Sequence, residues 1–171
     1  ALSENRRRIK KNKIPKIFNS DSSKKIIKSL PFNLTQSQIE VYNEVNIDLL
    51  SSNRMFRIIQ GDVGSGKTIV SLLSIINVIK SGYQCALMSP TEILAKQHYE
   101  LSKKIFKNTI KIEFLTGKTD YKLRKDILNK LKNGTIDLLI GTHALFQKTV
   151  NFKKLGLAVI DEQHKFGVKQ R

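Results

Sequence analysis

The residues with the clearest chemical potential form a glycine-rich stretch that ends in lysine and threonine, Gly61-Asp-Val-Gly-Ser-Gly-Lys-Thr68. It satisfies the pattern G-x-x-x-x-G-K-[ST], in which backbone amides face phosphate oxygens, the lysine reaches the β- and γ-phosphates and the last hydroxyl ligates Mg²⁺. An apolar run precedes it and a helical pattern follows, which disfavours a mere glycine-rich turn. The predicted nucleotide-binding residues are Gly61, Asp62, Val63, Gly64, Ser65, Gly66, Lys67 and Thr68.

A phosphate loop needs an acidic partner for its metal ion, and an apolar run that ends in two carboxylates supplies one. Asp161 and Glu162 directly follow Leu157–Ile160. Asp161 is expected to hold Mg²⁺, mainly through water, because this ion keeps much of its hydration. Glu162 is expected to orient the attacking water, since phosphoryl transfer needs mainly positioning and charge neutralisation. An amide and an imidazole follow, so the predicted catalytic set is Lys67, Glu162, Gln163 and His164.

Short apolar runs alternate with helical patterns from residue 31 onward, which predicts a parallel sheet covered by helices on both faces. The expected strands are Phe56–Ile59, Cys85–Met88, Ile110–Leu115, Asp137–Ile140 and Leu157–Ile160. The expected helices lie near 36–51, 67–80, 92–106 and 120–132, and the second of these is apolar nearly all round. Gly82 and Gly134 fall where helix C-terminal caps are expected. In such sheets ligands bind beyond the carboxyl ends of the strands.

Residues 1–30 have no globular pattern and are predicted to be a basic helix followed by a polar linker at Asn19–Ser23. The domain proper is expected at 31–171. The net charge of +17 indicates polyanionic partners, nucleic acid above all, although a lysine-rich solvated surface explains it equally well. The one cysteine, Cys85, excludes a disulfide framework and fits a reducing cytoplasm. No apolar run is long enough for a membrane span.

The ordered motifs resemble the first motor lobe of the RecG family of bacterial ATP-dependent DNA helicases. The matching strings begin with Leu30–Gln38 and the phosphate loop, and continue with Met88–His98, Leu115–Lys118, Gly141–Phe146 and Asp161–Arg171. The Asp-Glu-Gln-His string is typical of the second helicase superfamily. The transcription-repair coupling factor fits less well at the acidic motif. Lys165 departs from the family's usual arginine and loses bidentate bonding.

The resemblance implies an α/β, RecA-like fold and ATP-driven motion on DNA that remodels branched DNA and stalled forks in recombination and repair. It implies that Gln38 helps to read adenine, and that Phe32 packs near the base or serves as a core staple. It also implies contacts to the DNA backbone. These are assigned to Pro90, Thr91, Glu92, Thr116, Gly117 and Thr142, although Ser89–Glu92 also fits a helix N-terminal cap.

The resemblance further implies that the sheet is incomplete at the C-terminus. The family's next strand is expected between residues 56–59 and 157–160, so these two segments should not pair directly. The second motor lobe with its arginine fingers and the N-terminal wedge domain are expected outside this chain, so ATP turnover by the chain alone should be negligible. A nucleotide-binding module without turnover, from a split gene, is the alternative.

Overall fold

The computed structural model describes residues 21–51, 53–62 and 64–161. They divide into two units, the first of which reaches to Ser81 while the second starts at Gly82. No helix within the described ranges is long and apolar enough to cross a membrane. The domain boundary expected at residue 31 stays a prediction.

The regular elements described in the first unit are helices. Its elements are α1 (Asp21–Ser29), α2 (Gln36–Leu50) and α3 (Lys67–Lys80). Helix α2 begins at a capping box, in which the Thr35 hydroxyl accepts from the Gln38 backbone and the Gln38 side chain accepts from the Thr35 backbone. Helix α3 has the expected bounds and is buried along nearly all of its length after Ile69, as its apolar sequence predicts.

Helix α1 corrects the predicted linker, because residues 21–23 already belong to it. Ile26 and Ile27 pack against the buried cluster that Tyr42 forms with α3. Ser23 is fully buried, and its hydroxyl lies 2.6 Å from the Tyr42 hydroxyl. That hydroxyl also accepts a 2.8 Å hydrogen bond from the Asn77 side chain of α3. A buried polar network therefore links all three helices.

The strand predicted at Phe56–Ile59 is wrong, since residues 54–60 adopt no strand conformation. Phe56 is 84% exposed. The Arg57 guanidinium donates to the carboxylates of Asp48 and Glu44 on α2, which holds the segment to that helix. The hydrogen bond to Asp48 raises the pKa of Arg57. An apolar run becomes a strand only when its backbone meets a partner, and none of the described ladders reaches this run.

The second unit is a parallel α/β sheet. Its elements are β1 (Gln84–Met88), α4 (Glu92–Phe106), β2 (Ile112–Leu115), α5 (Tyr121–Asn133), β3 (Leu138–Gly141), the 3₁₀ turn η1 (His143–Phe146) and β4 (Leu155–Ile160). The strand order in the sheet is β2-β3-β1-β4. Each strand overlaps one of the predicted apolar runs, and α4 has the expected bounds. Gly134 ends α5 with a φ of 79°, as predicted for a C-terminal cap.

Helices α4 and α5 cover opposite faces of this sheet. Phe114 of β2 contacts Tyr99 of α4, with 5.5 Å between the ring centroids. The next residue, Leu115, packs instead with Ile127 and Leu131 of α5. Successive side chains of a strand point to opposite faces, so the two helices must lie on different sides. The predicted fold class, a RecA-like parallel sheet with helices on both faces, is confirmed.

The outer strand β4 is the least buried of the four described strands. Among the described strands it pairs only with β1, and Leu155 and Ile160 are 47% and 41% exposed. No ladder among the described residues joins β4 to residues 56–59. β1, by contrast, is buried at every position, as expected for a strand that has neighbours on both sides.

Candidate functional site

The phosphate loop places its lysine against its own backbone. The Lys67 ammonium donates to the carbonyls of Gly61 and Asp62, at 2.6 and 2.8 Å, and lies 3.4 Å from the Ser65 hydroxyl. Lys67 is also the first residue of α3, so the positive end of that helix dipole begins at the loop. A concentrated positive field at a helix N-terminus favours an anionic ligand such as phosphate. Val63 lies outside the described residues.

Glycine is required at Gly66 for two reasons. Its φ of 82° lies in the left-handed region, which side chains rarely adopt. A Cβ there would also lie 2.2 Å from the side-chain nitrogen of Gln38. Any larger residue would therefore strain the backbone and displace Gln38.

Gln38 joins the start of α2 to the loop. Its Nε2 donates to the Ser65 carbonyl at 2.8 Å, while its Oε1 accepts from the Thr35 backbone at 3.0 Å. The structure thus brings this predicted adenine-reading residue to the phosphate loop. The direct neighbours of its amide are loop and helix backbone.

The predicted acidic residues follow the end of β4. The strands end in register, with Met88 opposite both Gly141 and Ile160 and with Leu115 opposite Gly141. The residues that follow these strands therefore share one edge of the sheet. Asp161 continues the ladder, since its backbone N–H donates to the Met88 carbonyl at 2.8 Å. Glu162, Gln163 and His164, predicted to be catalytic, lie outside the described residues.

The Asp161 carboxylate is engaged from the neighbouring helix. His98 of α4 places Nε2 2.7 Å from Oδ2 of Asp161, and His98 itself is only 8% exposed. A carboxylate accepts only, so the imidazole N–H is the donor. The sequence does not reveal this contact, because the two residues lie 63 positions apart.

The residues predicted to contact DNA occupy the same edge with different exposure. Thr116 and Thr142 are buried, at 4% and 2% exposed. Thr91 is exposed, and its hydroxyl caps α4 by accepting from the Leu94 backbone at 3.3 Å. Pro90 is half-buried, and Gly117 is exposed and open around its Cα. The capping interpretation of Ser89–Glu92 is thereby confirmed as local geometry.

Glu92 forms an ion pair that sequence reasoning missed. Its carboxylate lies 3.0 Å from the Lys118 ammonium, whose side chain is 85% exposed. The hydrogen bond from Lys118 holds the pKa of Glu92 below its usual range, so this carboxyl stays ionised at neutral pH. Both residues lie just beyond strand ends, where functional side chains of a parallel sheet are expected, but that position alone does not identify them as partners.

Comparison with known proteins decides the family. The model of the DEAD/DEAH box helicase family matches residues 35–171. The chain belongs to the DEAD/DEAH box helicase family. This match spans the glycine-rich loop, the strand ends that follow it and the acidic string.

Among helicase relatives, the chain is 51% identical to the ATP-dependent DNA helicase RecG of Staphylococcus epidermidis, over 90% of this chain and 23% of that protein. It is 52% identical to the RecG helicase of Synechocystis, over 83% of this chain and 17% of that protein. With that of Thermotoga maritima, identity is 48% over 92% of this chain and 20% of the relative. The resemblance read from the motifs is confirmed, and the chain spans about a fifth of the length of these relatives.

Solved helicase structures resemble this chain as well. A RecG structure bound to a three-way DNA junction superposes with a TM-score of 0.84 at 46% identity, covering 90% of this chain and 21% of that one. The structure of a hypothetical ATP-dependent RNA helicase from Sulfolobus tokodaii superposes with a TM-score of 0.63 at 20% identity. The match covers 84% of this chain and 41% of that one. The second likeness shows the fold alone.

Proposed function

We propose that this chain is the ATP-binding lobe of a DNA helicase of the RecG kind. The observation that carries the proposal is the position of Lys67, whose ammonium is held inside a glycine-rich loop at the start of the buried helix α3. Membership of an ATP-dependent helicase family supports ATP as the nucleotide. The proposed nucleotide contacts are the loop residues Gly61–Thr68, Gln38 and Asp161.

Mg²⁺ is the metal ion that fits the donors we propose. Thr68 offers a hydroxyl at the first turn of α3, and Asp161 offers a carboxylate whose side chain is 26% exposed. Mg²⁺ prefers oxygen ligands and is usually held by one or two carboxylates together with substrate phosphates. When bound, it would neutralise phosphate charge. Lys67 would reach the phosphates and Glu162 would orient water, while Gln163 and His164 complete the proposed catalytic set.

The metal role can be tested by replacing Asp161 with asparagine. The unchanged chain is expected to bind a fluorescent ATP analogue more tightly with Mg²⁺ than with a chelator, because a bound ion would neutralise phosphate charge and Asp161 would help to hold it. D161N should lose most of that difference, since an amide oxygen carries no charge for the metal. The measurement is a fluorescence titration under both conditions. Absence of Mg²⁺-dependent binding in the unchanged chain would refute the proposed function.

We also propose that the strand-end edge of the second unit meets the DNA backbone. A structural relative is described as bound to a three-way DNA junction, which supports branched DNA as the partner of the whole protein. Hydroxyls and backbone amides suit phosphate contacts that carry no sequence information. The proposed contacts are Pro90, Thr91, Glu92, Thr116, Gly117 and Thr142.

Exposure and charge refine these roles. Thr116 and Thr142 are buried, so we propose that they shape the edge and contribute backbone groups. The ionised Glu92 repels phosphate, so its contribution is to hold Lys118, whose exposed ammonium attracts phosphate. The net charge of +17 favours the same partner.

DNA binding by the chain is expected to be independent of sequence and to weaken steeply with salt. Each neutralised phosphate contributes a slope of about −0.9 in log affinity against log salt for duplex DNA. Lys118→Ala should make that slope shallower by about one. Lys132→Ala is the matched control, because it removes an equal charge from the last turn of α5, which leads away from the strand-end edge. A flat slope for the unchanged chain would contradict the proposal.

A further inference from the structure

The inward-facing stripe of α4 contains one large polar side chain. Ala95, Ser102 and Phe106 are essentially fully buried, and His98 lies among them at 8% exposed. These positions follow the spacing of a helix face that packs on a sheet. The small Ser102 satisfies its hydroxyl locally, by donating to the His98 carbonyl at 2.6 Å. Of the two polar side chains on this buried face, His98 is therefore the one that bonds outside α4.

The imidazole is directed at the end of β4. Its Nε2 lies 2.7 Å from Oδ2 of Asp161, and side-chain exposures of 10% and 26% place the pair at the rim of the buried core. The Asp161 backbone is fixed separately, through its 2.8 Å hydrogen bond to the Met88 carbonyl. Met88 ends β1, and the chain passes from there into α4. One strand–helix segment thus fixes both the backbone and the side chain of Asp161.

We infer that His98 is a positioning residue that orients the Asp161 carboxylate toward Mg²⁺. The inference rests on the proposed function, in which Asp161 is the acidic ligand of that ion. An ionised carboxylate has several lone-pair directions, so accepting from His98 at Oδ2 is compatible with bonds to a metal or to its water. A partner in the outer shell that fixes a ligand's orientation is typically worth about 10- to 100-fold in metal affinity.

A structural role for the same contact is the competing explanation. The hydrogen bond also ties α4 to β4, so removing it lowers stability whether or not a metal binds. The two roles differ in one measurable quantity, the Mg²⁺ concentration that gives half-maximal tightening of nucleotide binding. Positioning changes that concentration, whereas a purely structural tie changes only the unfolding free energy.

The test compares His98→Leu with His98→Gln in the full chain. Both side chains fill the buried position, but only glutamine keeps an N–H donor near the place of Nε2. Binding of a fluorescent ATP analogue is measured at increasing Mg²⁺ concentrations. The same binding is then measured without metal, in the presence of a chelator. H98L is expected to raise the half-saturating Mg²⁺ about 10- to 100-fold and to leave chelator-condition binding unchanged. H98Q should recover most of the loss.

The H98L substitution is then repeated in the Asp161→Asn background. If His98 acts through Asp161, H98L should have no further effect there. Equal Mg²⁺ dependence in H98L, H98Q and the unchanged chain, with only stability altered, would overturn the inference. So would full additivity with D161N. Failure of the unchanged chain to show any Mg²⁺-dependent binding would instead refute the proposed function, so the two failures are distinct.

Discussion

Replacing Lys67 with alanine is expected to weaken ATP binding by roughly 10- to 100-fold. Hydrogen bonds to charged groups contribute about 1.5–3 kcal/mol, and about 1.4 kcal/mol corresponds to a tenfold change in affinity. Lys67 is the proposed cation for phosphate, and its ammonium also donates to the carbonyls of Gly61 and Asp62, so K67A removes both the proposed phosphate contact and these loop contacts. The measurement is a titration of a fluorescent ATP analogue in the presence of Mg²⁺.

Lys80→Ala is the matched control, since it removes the same charge from the last turn of the same helix. It is expected to leave nucleotide affinity near that of the unchanged chain. Equal affinities for K67A and the unchanged chain would remove the central claim that the loop binds phosphate. A parallel loss in K80A would show that the effect comes from helix stability and not from the loop.

Replacing Gly141 with alanine is expected to destabilise the second unit by about 1–3 kcal/mol or more, the usual cost of overpacking a filled core. An added Cβ would lie 1.9 Å from the Leu115 carbonyl oxygen, which is backbone and has little room to move. That carbonyl also accepts from the Thr142 backbone. A typical domain has only about 5–15 kcal/mol of stability, so the loss is readily measured by urea denaturation.

Gly117→Ala provides the contrast for this prediction. Gly117 follows β2 at the same edge, but a Cβ there would meet nothing within 4 Å. The urea midpoint of the G117A variant should stay close to that of the unchanged chain. An unfolding curve for G141A that overlays this control would mean that β2 and β3 separate without cost, contrary to their tight register.

The elements that could be predicted from sequence are those whose signals are local. Helix α3 shows its apolar periodicity within its own residues, and α4 starts at a Thr91 cap that the sequence displays directly. The loop pattern fixes residue types at fixed spacing, so its lysine and glycines were also predictable. Helix α1 had a usable signal in Ser23, Ile26 and Ile27, but the surrounding charge obscured it.

Features that depend on distant partners were not predictable. The run Phe56–Ile59 has strand composition, yet a strand also needs a neighbouring backbone, and composition does not reveal one. The contact between His98 and Asp161 joins residues 63 positions apart. The pairing of Glu92 with Lys118 likewise depends on the order of strands in the sheet. Neither pair leaves a pattern in a single sequence.

Both ends of the Gln38 side-chain amide form hydrogen bonds, and they connect the phosphate loop to the start of α2. The Thr35 amide proton is held by Oε1 of Gln38, whose Nε2 is anchored on the Ser65 carbonyl. If the loop loosens, the Nε2 anchor is lost, and we expect the hydrogen bond from the Thr35 backbone to Oε1 to weaken with it. We therefore expect the Thr35 amide proton to exchange with solvent when the loop opens, in a local fluctuation much smaller than global unfolding. The exchange rate of the Thr35 amide, which lies outside the loop, is thus expected to measure how often the loop opens.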